Sequence, residues 1–118
     1  MDLSNPLLPE HPDPDDPTFR ASVTAVGTQF VHVAFAGELD VAAEARAEAA
    51  LRSAESQTDG TVVVDLSGLR FVDSCGVHLL SAAARRLRGR LIVLRGPAHV
   101  QRVFELTEAA YVAVPFAD

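Results

Sequence analysis

Residues 61–77 read Thr61-Val62-Val63-Val64-Asp65-Leu66-Ser67-Gly68-Leu69-Arg70-Phe71-Val72-Asp73-Ser74-Cys75-Gly76-Val77. The first six are a nearly unbroken β-branched and apolar run, which predicts a central strand buried on both faces. A loop is expected over residues 67–72. Beyond Asp73-Ser74-Cys75-Gly76, the residues Val77, Leu80, Ala84 and Leu87 recur at helical spacing on one face, so a helix is predicted to begin at Ser74. This stretch thus carries a strand into a helix whose first turn is made of small polar residues.

Upstream, residues 19–26 and 29–36 form two runs joined at Gly27-Thr28, and Val31, Val33 and Phe35 alternate with His32, Ala34 and Ala36, the pattern of a β-hairpin. Gly37-Glu38-Leu39-Asp40 breaks the alternation, and Asp40 is placed to cap a helix over residues 41–56, a segment rich in Ala, Glu and Arg. Thr58-Asp59-Gly60 ends it. Downstream, Gly89 closes the helix begun at Ser74 and residues 90–95 read as another strand. Gly96-Pro97 then puts a proline at the start of a third helix carrying Val100, Val103, Phe104 and Leu106, with residues 111–114 a candidate last strand. Strand and helix alternating after a hairpin predict an α/β fold: a mixed sheet of four to five strands packed with about three to four helices, its crossovers right-handed.

At 118 residues, 48% of them hydrophobic, the chain has material for one core and not two. Of its 16 acids, Asp2, Glu10, Asp13, Asp15 and Asp16 lie in residues 1–18, which contain no base. That Pro/Asp-rich stretch reads as a disordered leader before a domain spanning residues 19–118, the alternative being a docking peptide. The remaining 11 acids balance 10 arginines, whereas a nucleic-acid binder needs a one-sided cationic excess. No apolar stretch is long enough to enter a membrane and the N-terminus lacks the pattern of a signal peptide, so a cytoplasmic protein is expected. Cys75 has no internal disulfide partner, and the four histidines lack metal-ligand spacing. No resident cofactor or metal is expected, and no phosphate-cradling glycine-rich lysine loop occurs.

The chemistry of interest sits at Ser74. Free amides and the positive end of the helix dipole favour an anion there, so a phosphate on its hydroxyl is compatible with the fold. The plainer reading is a helix cap worth about 1 kcal/mol. Asp73 divides between orienting that hydroxyl or an incoming partner and merely capping the helix, and Asp40 and Glu38 between capping or solvation and a partner surface beside Ser74. Cys75, at a helix N-terminus, raises the possibility of a nucleophile, with His78 one turn on, but a lone thiol there is more often a small packed residue. Arg85, Arg86, Arg88, Arg90 and Arg95 gather near the end of the same helix, where dipole compensation and solvation explain them. His32 and His99 read as surface or packed side chains.

Three stretches together resemble the STAS domains, and within them the bacterial anti-sigma factor antagonists: Gly37-Glu38-Leu39-Asp40, residues 63–77, and Arg102-Val103-Phe104-Glu105-Leu106-Thr107. The resemblance covers roughly residues 20–115. It implies a STAS-like fold and a non-enzymatic switch. It also matches Ser74 to the serine that a partner anti-sigma kinase phosphorylates, the kinase supplying ATP and Mg²⁺. Unphosphorylated, such a protein sequesters the kinase and frees a sigma factor. Glu38, Asp40, Asp73, Ser74, Cys75 and Gly76 are the expected partner-binding residues. Cys75 departs from the Ser or Thr common at its position in the family, Glu108 from a frequent glycine, and the chain stops at Asp118, before a further C-terminal helix found in many members. The rival reading is a constitutive STAS scaffold, such as an accessory subunit of a transporter or signalling assembly. A thiol enzyme centred on Cys75 is the third.

Overall fold

The computed structural model describes residues 17–107 and 114–117. Its elements run β1 (Arg20–Val26), β2 (Phe30–Leu39), a 3-10 turn (Val41–Ala43), α1 (Glu44–Gln57), β3 (Thr61–Val72), α2 (Ser74–Leu87), β4 (Leu91–Leu94), α3 (Ala98–Thr107) and β5 (Phe116–Ala117). The strands make one mixed sheet of order β1-β2-β3-β4-β5, with β1 antiparallel to β2 and the rest parallel. Five strands and three α-helices are what the alternation predicts.

Because successive parallel strands are neighbours, right-handed crossovers put α1, α2 and α3 on the same face. Burial follows in transverse rows: Val31, Val62 and Leu91 pair across the sheet, as do Val33, Val64 and Val93, and all six are at most 2% exposed. Leu51, Leu80 and Phe104 cover them from the helices. On the opposite face, His32, Val63 and Asp65 are only half-buried and Ile92 is exposed. The run at 61–66 is therefore covered on one face and not on two. Its β-branched composition matched a doubly covered strand, but a sequential strand order leaves no helix for the second layer.

Both strands of the central pair outrun their expected ends. Residues 37–39 stay in β2 and the predicted loop at 67–72 is the second half of β3, because Gly37, Glu38 and Leu39 pair with Leu69, Phe71 and Val72. Register shifts between Ala34 and Ala36 and between Gly37 and Glu38 break the alternation that a sequence pattern can detect. The first helix begins with a 3-10 turn and becomes α-helical only at Glu44. It is pinned to α2 by a two-pronged ion pair, Arg86 Nε to Glu55 Oε1 at 2.9 Å and Arg86 Nη2 to Glu55 Oε2 at 2.7 Å. In α3, Val100 and Phe104 are core, but Leu106 is 70% exposed.

The candidate strand at 111–114 falls mostly outside what the structure describes. Residues 111–113 lie outside the described residues, Val114 is buried coil, and β5 is Phe116–Ala117, paired with Val93 and Leu94. Most of the expected leader, residues 1–16, also lies outside them. Pro17 is already tied to the domain, its carbonyl accepting from the Glu38 amide at 3.0 Å. Among the described residues no helix is long and apolar enough to cross a membrane.

Candidate functional site

The parallel pairing of β2 with β3 makes two remote segments neighbours. Glu38 stands opposite Phe71 and Leu39 opposite Val72, and the Asp73 amide donates to the Leu39 carbonyl at 3.3 Å. At the end of each strand the chain repeats one device. Asp40 and Asp73 are both extended, with φ −114° and −111°, and each carboxylate caps the helical turn that follows. Asp40 accepts from the Ala43 amide at 3.2 Å, and Asp73 from the Cys75 amide at 2.9 Å. Capping is thus assigned to the aspartates, as short side chains that satisfy free amides should be.

Ser74 is the first residue of α2 and is exposed. With Asp73 in the cap, Ser74 is not the capping residue of the plainer reading. Gly76, one of the expected partner-binding residues, is instead buried. A Cβ there would come within 2.4 Å of Val72 Cγ2 and 3.0 Å of Leu39 Cδ2. Only glycine lets the first turn of α2 lie this close to the strand ends, so Gly76 acts from beneath the surface by setting the height of Ser74. Glu38 and Asp40 are half-buried on the same edge.

Cys75 is half-buried, and its thiol pKa is raised above the ordinary value by burial, then by the charges of Asp73 and Glu44 and hydrogen bonds to both. A nucleophilic cysteine needs the opposite shift. Glu44 is a site residue that sequence reasoning missed: it reaches Cys75 from the start of α1. Two large apolar side chains also stand in the open beside these acids. Val41, which follows Asp40 as Ser74 follows Asp73, is 69% exposed, and Phe71, opposite Glu38, is 44% exposed. The parallel between Leu39-Asp40-Val41 and Val72-Asp73-Ser74 was the available signal. The ends of β2 and β3 and the helical turns that follow them thus carry two exposed apolar side chains, Val41 and Phe71, the acids Glu38, Asp40, Glu44 and Asp73, and the exposed Ser74.

Three of the arginines near the end of α2 are engaged within the domain, and a fourth ends the helix. Arg86 is held by Glu55, Arg90 Nη1 donates to the Gly60 carbonyl at 2.7 Å, and Arg95 lies 5.2 Å over the Phe116 ring. Arg88 is the left-handed C-cap of α2. Among the described residues no group of three or more His, Cys, Asp or Glu is placed to hold a metal ion.

A protein-family model described as "Mlab, STAS domain" matches residues 24–111. No curated protein matches the sequence. Among solved structures, the chain is similar to the anti-sigma factor antagonist SpoIIAA in its unphosphorylated form, at 25% identity and TM-score 0.62 over 84% of this chain and 88% of that one. The Bacillus cell fate determinant SpoIIAA in its phosphorylated form aligns at 25% identity and TM-score 0.61, over 84% and 92% of the two chains. An anti-sigma factor antagonist from Mycobacterium paratuberculosis gives TM-score 0.71 over 85% and 86%, and at 21% identity that likeness is one of fold.

Proposed function

The chain belongs to the STAS domain family, and from that premise we propose that it is an anti-sigma factor antagonist, a binding switch controlled by phosphorylation of Ser74. The observation that carries the reading is the division of labour at the start of α2, where Asp73 holds the cap and Ser74, the next residue, is left exposed. A similar fold has been solved both with and without phosphate.

In its unmodified form the face around Ser74 binds an anti-sigma serine kinase in the cytoplasm and keeps it from a sigma factor. Val41 and Phe71 supply apolar contact and the surrounding carboxylates supply orientation. The protein is a substrate and not a catalyst. Its kinase partner brings ATP and Mg²⁺; the Ser74 oxygen forms a bond to the γ-phosphorus, the bond from that phosphorus to the leaving ADP oxygen breaks, and the hydroxyl proton passes to a base of the kinase. The product phosphate stays compatible with the fold because it sits at a helix N-terminus. It nevertheless adds about −1.5 to −2 charges to a face already carrying Glu38, Asp40, Glu44 and Asp73. A partner that buried the bare hydroxyl would have to desolvate that charge, so the complex dissociates.

Intact-mass spectrometry of the protein from its own cells, with fragmentation across Asp73-Ser74-Cys75, tests this. One phosphate on Ser74, in a fraction that varies with growth conditions, is the expected result, and Ser74→Asp should abolish capture of the kinase. An unmodified protein in every condition, with Ser74→Asp still holding its partner, would replace the switch by a constitutive scaffold.

A further inference from the structure

The end of β3 that outruns its pairing with β4 borders a groove of about 570 Å³ lined by Arg20, Ala36, Gly68, Arg70, Pro97 and His99 among others. Among the described residues no acidic side chain lines it. Arg20, Ala36 and Gly68 are paired across β1, β2 and β3, so the floor is sheet and the cations stand at its borders. The Arg20 guanidinium donates to the Thr18 carbonyl at 2.9 Å, and the His99 ring is hydrogen-bonded to the Arg70 carbonyl. His99 also lies in the first turn of α3, a ten-residue helix whose N-terminal end adds positive potential.

The chain itself supplies a complementary occupant. Residues 1–16 hold Asp2, Glu10, Asp13, Asp15 and Asp16 and no basic residue. They join the domain at Pro17, held against Glu38, while Thr18 is pressed on Gly37 so closely that a Cβ on Gly37 would lie 2.1 Å from the Thr18 oxygen. Glu38 is paired with Phe71, the neighbour of Arg70. Strands stand about 4.8 Å apart, so two spacings separate Pro17 from the Arg70 region. Three extended residues at about 3.4 Å each cover that span. We propose that the acidic segment 1–16 docks in this groove, with the carboxylates of Asp13, Asp15 and Asp16 paired to Arg20 and Arg70. Exposed ion pairs are individually weak, but a segment tethered at Pro17 meets the groove at an effective concentration in the millimolar range.

The test compares the full-length protein with D13N/D15N/D16N, which alters the segment alone and leaves the folded domain untouched. Docking predicts that the amide resonances of Gly68, Leu69 and His99 shift in this variant, and that raised salt moves the wild-type resonances to the same positions. It also predicts that cleavage at Glu10 by a glutamate-specific protease is about fivefold faster in R20Q/R70Q, the scale set by two exposed ion pairs. The charge-swapped chain D15R/D16R/R20E/R70E should recover protection. Shifts confined to residues 11–18, or equal cleavage in all chains, overturn the proposal. A groove whose amides respond to inorganic phosphate but not to the Asn substitutions overturns it too, by assigning the site to free anions.

Discussion

A methyl group at Gly76 would have no space between Val72 and Leu39. Gly76→Ala is therefore expected to destabilise the fold by ~1–3 kcal/mol, the usual cost of overpacking, and to displace the first turn of α2. Chemical denaturation measures the first effect. The amide shifts of Ser74 and Cys75 measure the second. At Cys75 the thiol is held protonated by partial burial and by Asp73 and Glu44. Its alkylation by iodoacetamide near pH 8 should run slower than that of an unstructured thiol, and Glu44→Gln should accelerate it by removing a charge that disfavours thiolate. The same shift gives a sign to stability. A group that holds its proton more tightly when folded stabilises the fold below the ordinary thiol value, and that contribution disappears as pH rises through the folded one.

Between elements, the Arg86–Glu55 pair joins α2 to α1 with side chains only 25% and 16% exposed. Arg86 has its pKa raised chiefly by that hydrogen-bonded contact, and Glu55→Gln should cost ~2 kcal/mol, as for hydrogen bonds to charged groups. A lowered unfolding midpoint with an unchanged denaturant slope is the expected signature. At this scale the sequence was most legible where periodicity and punctuation agree. The hairpin turn at Gly27, the start of α2 after Asp73 and its end near Gly89 all follow from local chemistry. The extra length of β2 and β3 was not legible, because residues 37–39 and 67–72 become strand by pairing with one another across a bulged register. Nor was the exposure of Val41 and Phe71, since an apolar residue in a sequence is assigned to a core by default. Asp40 was legible as a cap, whereas for Asp73 capping was one of two open readings; Glu44 was not recognised, because its meeting with Cys75 depends on how two helices leave neighbouring strands.

Across the whole molecule, helices on one face and an open sheet on the other make the closure of β1 important. Phe19, 4% exposed, packs against Phe35 with ring centroids 5.4 Å apart and lies under Arg46. Phe19→Ala should cost ~3 kcal/mol or more, read by urea unfolding, although no residue of the Ser74 face is touched.

The bond from the Asp73 amide to the Leu39 carbonyl joins two segments whose contact requires the whole β2–α1–β3 crossover to be closed. On a ribosome, a chain that has emerged only as far as β2 displays Glu38, Asp40 and Val41 but presents no half-binding copy of the surface, because its counterpart is still being synthesised. A partner that reads residues from both strand ends at once would therefore select finished domains over truncated or nascent chains.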